Sequence, residues 1–303
     1  AFNNAHVGQD GDRNAVTVDQ GGGANFTVVS QTGDRNTADI DQGGDDTSKG
    51  SVSTMSFVTQ FGDRNNADVD QIGARYSTQT HLAFIIQGLG SRNDASITQK
   101  TDYHGAWASI WQLGGSNKAD IVQEGNQFPG FGYAIVQQFG DGNDASQWQR
   151  SYLNSGHMRA FISQDGVQND ATQSQNHRHT DGGPVGEFEL YIFQVGDKNN
   201  AEQIQEQDMG TRYGYITQWG DRNEASQTQG AGSQWGSIWQ DGNRNSATQL
   251  QRFGANFGVI VQDGDGNTAS QTQTIGLNAA TITQIGNNNF AAISQVGFLP
   301  LAN

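Results

Sequence analysis

Cysteine is absent from the 303 residues, so neither disulfides nor thiolate metal sites are available and the redox compartment cannot be read. No apolar run approaches the ~18 residues of a membrane-spanning helix, so nothing here spans a bilayer as one. No basic, apolar leader opens the chain, and Ala1 sits just before a repeat, as a processed mature N-terminus would. Apolar residues are scarce at 33%, too few for a thick globular core. Basic residues are few too. The 16 Lys+Arg against 31 Asp+Glu give a net charge of -15, which disfavours nucleic acid as a partner. Such a composition also suits a disordered chain. The strict periodicity of what is present argues against disorder.

The phrase Gln-x-Gly-x-x-Asn-x-Ala-x-x-x-Gln recurs from end to end. Its Asn positions give twelve copies: Asn14, Asn36, Asn65, Asn93, Asn117, Asn143, Asn169, Asn199, Asn223, Asn245, Asn267 and Asn289. The first copy has Val16 in place of Ala, and the fourth has Gly88 where the first Gln belongs. A fixed period of this size means a stacked architecture. The last copy shows each unit to be two halves of one pattern, Asn278-x-Ala280-x-Ile282-x-Gln284-x-Gly286 and Asn289-x-Ala291-x-Ile293-x-Gln295-x-Gly297. Alternation of period two in each half marks a strand with one buried face. The glycines mark tight arcs: Gly33, Gly62, Gly114, Gly140, Gly166, Gly196, Gly220, Gly242, Gly264 and Gly286.

The sequence thus predicts an all-β fold, a flattened two-sheet β-solenoid of cross-β type. It has about twelve strand-arc-strand-arc rungs, stacked ~4.8 Å apart, in one repeat domain over 1–297 with a short tail at 298–303. Inward positions of the first strand carry an aliphatic row (Val29, Ile110, Ile162, Ile260 and counterparts) and a small row (Ala108, Ala134, Ala160, Gly214, Gly236, Gly258, Ala280). The motif amides also point inward. Their sets are Gln31, Asn36, Gln42; Gln60, Asn65, Gln71; Gln112, Asn117, Gln123; Gln138, Asn143, Gln149; and Gln164, Asn169, Gln175. The sets continue as Gln194, Asn199, Gln205; Gln218, Asn223, Gln229; Gln240, Asn245, Gln251; Gln262, Asn267, Gln273; and Gln284, Asn289, Gln295. Buried amides must be bonded, so each carboxamide is expected to donate to one neighbour and accept from the other, Gln over Gln and Asn over Asn. A further ladder is expected at Gln147, Gln173, Gln203, Gln227, Gln249 and Gln271.

Outward positions differ between the strands. The first presents Phe26, Phe57, Trp107, Trp111, Tyr133, Phe161, Tyr191, Phe193, Tyr213, Tyr215, Trp235, Trp239 and Phe257. The second presents Asp39, Asp41, Asp68, Asp70, Asp120, Asp144, Asp170, Glu202 and Glu224. So long an apolar stripe is expected to be a lateral contact between columns, although cross-strand ring packing would account for it as well. Spacing between motif Asn residues varies from 22 (Asn14 to Asn36) to 30 (Asn169 to Asn199). The Gly-x-x-Asn arc is read as constant, with every insertion after the second Gln, as at Gly43 to Ser53 and Asn176 to Glu187. Pro129 and Pro184 fall in those insertions. Since the pattern runs almost to both ends, the end rungs are expected to be uncapped templates for head-to-tail addition.

These five fixed positions resemble the curlin repeat of curli subunits, secreted bacterial functional amyloids. That resemblance implies stacking driven by inward Gln and Asn, an extracellular cell-surface fibre of biofilm matrix and adhesin, and two partners besides the chain itself: an outer-membrane secretion channel and a nucleator subunit. The chain departs from that family in having many more units, long insertions and an aromatic face. The family's Ser at the head of the first strand is mostly missing, with Asn25, Asn256 and Asn278 in its place.

No arrangement of catalytic residues stands out, and neither an enzyme nor a cofactor is expected. His177 and His179 beside Asp181 are read as a solvated loop rather than a metal site. The Asp-Arg pairs Asp12-Arg13, Asp34-Arg35, Asp63-Arg64 and Asp221-Arg222 are read as partial charge neutralisation along the edge. Two readings compete with the fibre. One is a monomeric secreted solenoid binding glycan or ice through its flat face. The other is a carbohydrate-processing β-helix, which thin rungs without a cleft disfavour.

Overall fold

The computed structural model describes residues 2–44, 53–73, 80–101, 105–126, 132–152, 157–178, 187–206 and 210–297. These form twenty-four strands and no helix, from Asn4–Asp10 (β1) to Phe290–Val296 (β24). Odd-numbered strands make one 12-stranded sheet in chain order and even-numbered strands make the other. All neighbours are parallel, and motif positions stack on themselves, as in Gln9↔Gln31, Gln31↔Gln60 and Gln262↔Gln284. The chain is a β-solenoid of twelve rungs.

Period-two sequence produces period-two burial. In Ala24–Thr32 (β3) side chains alternate between half-buried and buried. Val29, Val58, Ile85, Ile110, Ile162, Ile216 and Ile260 stack in one row, each at most 1% exposed. Across from them, Ala38, Ala67, Ala95, Ala119 and their counterparts to Ala269 are no more than 2% exposed. An end strand has a neighbour on one side only, and every residue of β1 is accordingly exposed.

The arc glycines meet two demands at once. Gly33 has φ 111°, a left-handed conformation that L side chains avoid. A Cβ there would also lie 2.2 Å from the carbonyl oxygen of Gly62 in the next rung. Gly62, Gly114, Gly140, Gly166, Gly196, Gly220, Gly242, Gly264 and Gly286 share the positive φ.

The fourth rung corrects the sequence reading. Gln87, not the residue at position 88, continues the Gln row, pairing with Gln60 and Gln112. One extra residue lies between Gln87 and Gly90, so not every insertion follows the second Gln, while the Gly-x-x-Asn arc keeps its length from Gly90 to Asn93. Gly90 stands against the carbonyls of the neighbouring arcs, and the extra residue, Leu89, projects at 88% exposure with φ 55°. The other length variation follows the second strand. Pro129 and Pro184 lie outside the described residues, and Asn176 continues the strand Asp170–Arg178 (β14) rather than opening an insertion.

The core changes from aliphatic to amide along the axis. The second-strand row is Ile40, Val69, Ile97 and Ile121 in rungs 2 to 5, then Gln147 onward in rungs 6 to 11. Opposite the last three of those glutamines the first strand has Gly214, Gly236 and Gly258. A Cβ on Gly236 would meet Gln249 Oε1 at 2.4 Å and Gln227 Nε2 at 2.6 Å. We therefore expect Gly236→Ala to lower unfolding free energy by about 1–3 kcal/mol through overpacking. Gly21→Ala, where a Cβ meets nothing within 4 Å, should be nearly silent; chemical denaturation of both variants checks this.

Candidate functional site

The motif glutamines form two ladders that run unbroken through all twelve rungs. In the first, Gln9 Nε2 donates to Gln31 Oε1, Gln31 to Gln60, and so on through Gln87, Gln112, Gln138, Gln164, Gln194, Gln218, Gln240 and Gln262 to Gln284. The second runs from Gln20 through Gln42, Gln71, Gln99, Gln123, Gln149, Gln175, Gln205, Gln229, Gln251 and Gln273 to Gln295. The spare N–H goes to the facing sheet, as from Gln60 to the Thr37 carbonyl at 3.0 Å. Every rung bond has the same sense, with Nε2 pointing to the following rung and Oε1 to the preceding one.

Asparagine does something other than the expected Asn-over-Asn amide ladder. Asn36 Oδ1 accepts the backbone N–H of Asn65, while Asn36 Nδ2 donates to the Gly62 carbonyl. The same clasp recurs at Asn117, Asn143, Asn169, Asn199, Asn223 and Asn245. At this phase the amide turns toward the arc and ties it to the backbone of the next, whereas Asn278 Nδ2, at the head of the first strand, does donate to Asn256 Oδ1 at 2.9 Å. Asn267 and Asn289 also join the backbone row, Asn289 N donating to Asn267 Oδ1 at 3.0 Å.

The third Gln row occupies the core itself. Gln147, Gln173, Gln203, Gln227, Gln249 and Gln271 are each bonded to the next. Its ends abut Ile121 and Ile293, and there Gln147 Oε1 and Gln271 Nε2 are buried without a partner. Gln203→Leu would orphan Gln227 Oε1 and leave Gln173 Nε2 with the Phe161 carbonyl as its one acceptor, at about 2–3 kcal/mol. Gln271→Leu exchanges one orphan for another, since the unpartnered Gln271 Nε2 disappears as Gln249 Nε2 loses its acceptor, and should cost about 1 kcal/mol or less. Denaturant midpoints of the two variants test this difference.

Arc aspartates bind backbone rather than Arg. Asp34 Oδ1 accepts the Asp12 N–H at 2.7 Å, Asp63 Oδ1 that of Asp34, and Asp221 Oδ1 that of Asp197. No arc Arg pairs with a carboxylate among the described residues, where the ion pairs are Lys100–Asp70, Arg150–Glu124 and Arg159–Glu189. The neutralisation expected of the Asp-Arg pairs is therefore not made by contact.

Rings on the outer face of the odd sheet stack along the axis. Phe26, Phe57, Phe84, Trp107 and Tyr133 form one run, with Phe57 and Phe84 parallel at 5.0 Å. Phe161, Tyr191, Tyr215, Trp235 and Phe257 form another, the last two 4.6 Å apart. Arg159 takes the column's place between Tyr133 and Glu189, which separates the runs. Trp107 and Trp235 are half-buried in these stacks, whereas Trp111 and Trp239 stand out at 43% and 40% exposure, and Phe193 rests 5.2 Å from the Phe161 ring. Tyr213 donates to Glu187 at 3.0 Å.

On the opposite face, burial first and then neighbouring carboxylates raise the pKa of Asp41 and Asp68, and burial raises those of Asp120 and Asp170. His177 is not on a solvated loop. It lies on β14, 3% exposed, its ring 4.7 Å from Phe188, which Arg212 in turn covers at 5.2 Å. His179 and Asp181 fall outside the described residues, and no cluster able to hold a metal occurs among those described.

Sequence reasoning missed the ladder members Gln9, Gln20, Gln87 and Gln99, and the ring of Phe84. The extra residue in rung 4 hid Gln87 and Phe84, although Ile85 two residues before Gln87 was the available signal.

Twelve rungs tied by in-register glutamines at a fixed motif describe a recurring unit, and one family model recognises it. Residues 11–44 match the Curlin associated repeat. Over that stretch the chain is similar to the curlin repeat. That stretch spans the Gly11 arc, the second strand of rung 1 and all of rung 2, and the remaining rungs repeat its hydrogen bonds. No curated protein matches the chain.

His81 supplies a pH test of the fold. Burial lowers its pKa from 6.5 to about 4, with Nε2 3.2 Å from the Thr101 hydroxyl. The folded state thus binds fewer protons than the unfolded state, so stability from this group is full above pH 6.5 and is lost as pH falls toward 4, by on the order of 3 kcal/mol. The raised aspartates act oppositely at lower pH, gaining stability as they protonate. Parent and His81→Gln unfolding curves between pH 7 and 4.5 should show the decline in the parent alone.

Proposed function

We propose that this chain is a structural subunit that polymerises head to tail into a secreted, extracellular curli-like amyloid fibre of biofilm matrix and adhesive filament. The observation that carries the reading is the common sense of the ladders. Over the described rungs, the first offers Gln9 and Gln20 Oε1 as acceptors, and the last offers N–H groups of Gln284 and Gln295. Identical registers at opposite ends make each end complementary to the other, a heterologous contact that does not close on itself. Parallel in-register strands with buried amide ladders are the chemistry of a fibre that resists denaturation. By likeness to curli subunits, an outer-membrane channel and a nucleator would serve its export and initiation.

Purified protein left at rest should form thioflavin-positive filaments with a ~4.8 Å repeat along the axis. A species that stays monomeric at high concentration would overturn the reading and favour a solitary surface binder.

Lateral bundling would use the free rings of the odd sheet. Because Trp107 and Trp235 also brace the column, the discriminating variant is Trp111→Ser with Trp239→Ser. Electron microscopy should show single filaments intact and bundles lost; undiminished bundling refutes the contact.

A further inference from the structure

One position in the Gly-x-x-Asn arc, the residue before the motif Asn, collects basic side chains. Arg13, Arg35, Arg64 and Arg92 fill it in rungs 1 to 4, and Lys198, Arg222 and Arg244 in rungs 8 to 10, seven of the chain's 16 Lys+Arg. The position is left-handed, with φ between 57° and 64° at all seven. A non-glycine residue is disfavoured there by about 1–2 kcal/mol, and rungs 6 and 11 use Gly142 and Gly266. In-register stacking also places the first four guanidinium groups one rung apart, so they repel. All four are exposed, and none is ion-paired among the described residues. A strained, self-repelling basic column in an acidic chain has no account in the packing.

The groove beside it shows what the column faces. In rungs 1 and 2 the arc amides of Asp12 and Asp34 each receive a carboxylate from the next rung, at 2.7 and 2.8 Å. The next two rungs break the pattern. Backbone bonds Arg92 N to Asp63 O and Ser116 N to Ser91 O put Ser91 after Asp63 and Gly115 after Ser91. Neither Ser91 nor Gly115 has a carboxylate, so the amides of Asp63 and Ser91 have no acceptor among the described residues. The pattern resumes at Gly115, whose N–H meets Asp141 Oδ1 at 2.6 Å. The two vacated amides open into a groove of about 460 Å³ lined by Arg35, Arg64, Arg92 and Ser116, and also by Asp34 and Asp63, whose Oδ1 atoms are already engaged by the amides of Asp12 and Asp34. Backbone amides beside a left-handed residue form an anion-binding concavity, and guanidinium groups at its rim supply the charge and the planar donors a carboxylate fits.

We propose that this edge binds a linear carboxylated polysaccharide. Its carboxylates take the places on the Asp63 and Ser91 amides that Asp34 and Asp63 fill in the preceding rungs, flanked by Arg64 and Arg92. The chain supplies the template, since its own carboxylates occupy the equivalent sites. Nucleic acid fits less well: the lining has no aromatic ring for base stacking, and the net charge of -15 opposes a dense polyphosphate. The inference is independent of fibre formation.

The test titrates the full chain with an oligogalacturonate of defined length. Arg64→Gly with Arg92→Gly removes the charge while relieving backbone strain, so thermal stability should hold or rise while affinity falls at least tenfold. Ser91→Asp supplies the missing carboxylate from within and should likewise weaken binding tenfold or more while stabilising the arc. Parent binding should weaken steeply with salt. Variants that bind like the parent, a neutral glucan of equal length that binds as tightly, or duplex DNA that binds more tightly would each overturn the proposal.

Discussion

A buried carboxamide needs both a donor and an acceptor partner, and that need governs this molecule. Gln164 donates to Gln194 and accepts from Gln138; a slip of one residue would present it with a side chain of the other face. The same condition holds at every rung of two continuous ladders, so register is fixed many times over. Length can vary only where no ladder passes. This explains why spacings between motif Asn residues reach 30 (Asn169 to Asn199) while the paired strands stay aligned. Asn reinforces the lock from the arc side by tying each rung's Oδ1 and Nδ2 to the backbone of the next.

The polar core obeys the same logic. Replacing Ile121 and its predecessors by Gln from rung 6 onward puts an amide where a branched alkyl group would sit. The amide is tolerable only because five successive neighbours are also Gln, and its larger reach is accommodated by glycines on the facing strand from Gly214 to Gly258. Where the row stops, at Ile121 and at Ile293, the penalty reappears as two orphaned polar atoms. A ladder of this kind is cooperative in length: its unpaired ends cost the same however many rungs lie between them.

Much of this was legible in the sequence because a solenoid makes each residue's environment a function of its phase. The period gave the rungs, alternation gave the inward rows, and the recurrence of Gln at one phase gave the ladders, including the extra row at Gln147 to Gln271. What phase could not reveal was chemistry that depends on which backbone groups an arc brings within reach or on a local break in the period. The motif Asn sits beside the next arc's backbone and bonds to it, while Asn278, at the head of the first strand, bonds its counterpart Asn256. The arc Asp, where one is present, also binds backbone and leaves its Arg unpaired. Rung 4 carries one extra residue ahead of its arc, which put Gly88 at the expected Gln position. His177, Phe188 and Arg212 pack together across neighbouring rungs at the insertion edge, where the motif has ended and phase predicts nothing.

In-register stacking has a consequence that the outer faces must manage: any charge repeated at one phase is placed beside itself. The acidic face dilutes its columns. Asp39 and Asp68 are followed by Ser96, Asp120, Ser146 and Thr172, and Asp70 is met by Lys100 at 3.1 Å. At Asp41 and Asp68 burial first, and then the undiluted neighbouring carboxylates, raise the carboxyl pKa. The arc position before the motif Asn follows the opposite course, with four arginines in consecutive rungs and no interposed neutral residue. The same molecule that spaces its carboxylates concentrates its guanidinium groups, at a backbone conformation that glycine would adopt without strain. The carboxylates of Asp34 and Asp63 beside it offset part of that repulsion, and an external anion lying along the column would offset more.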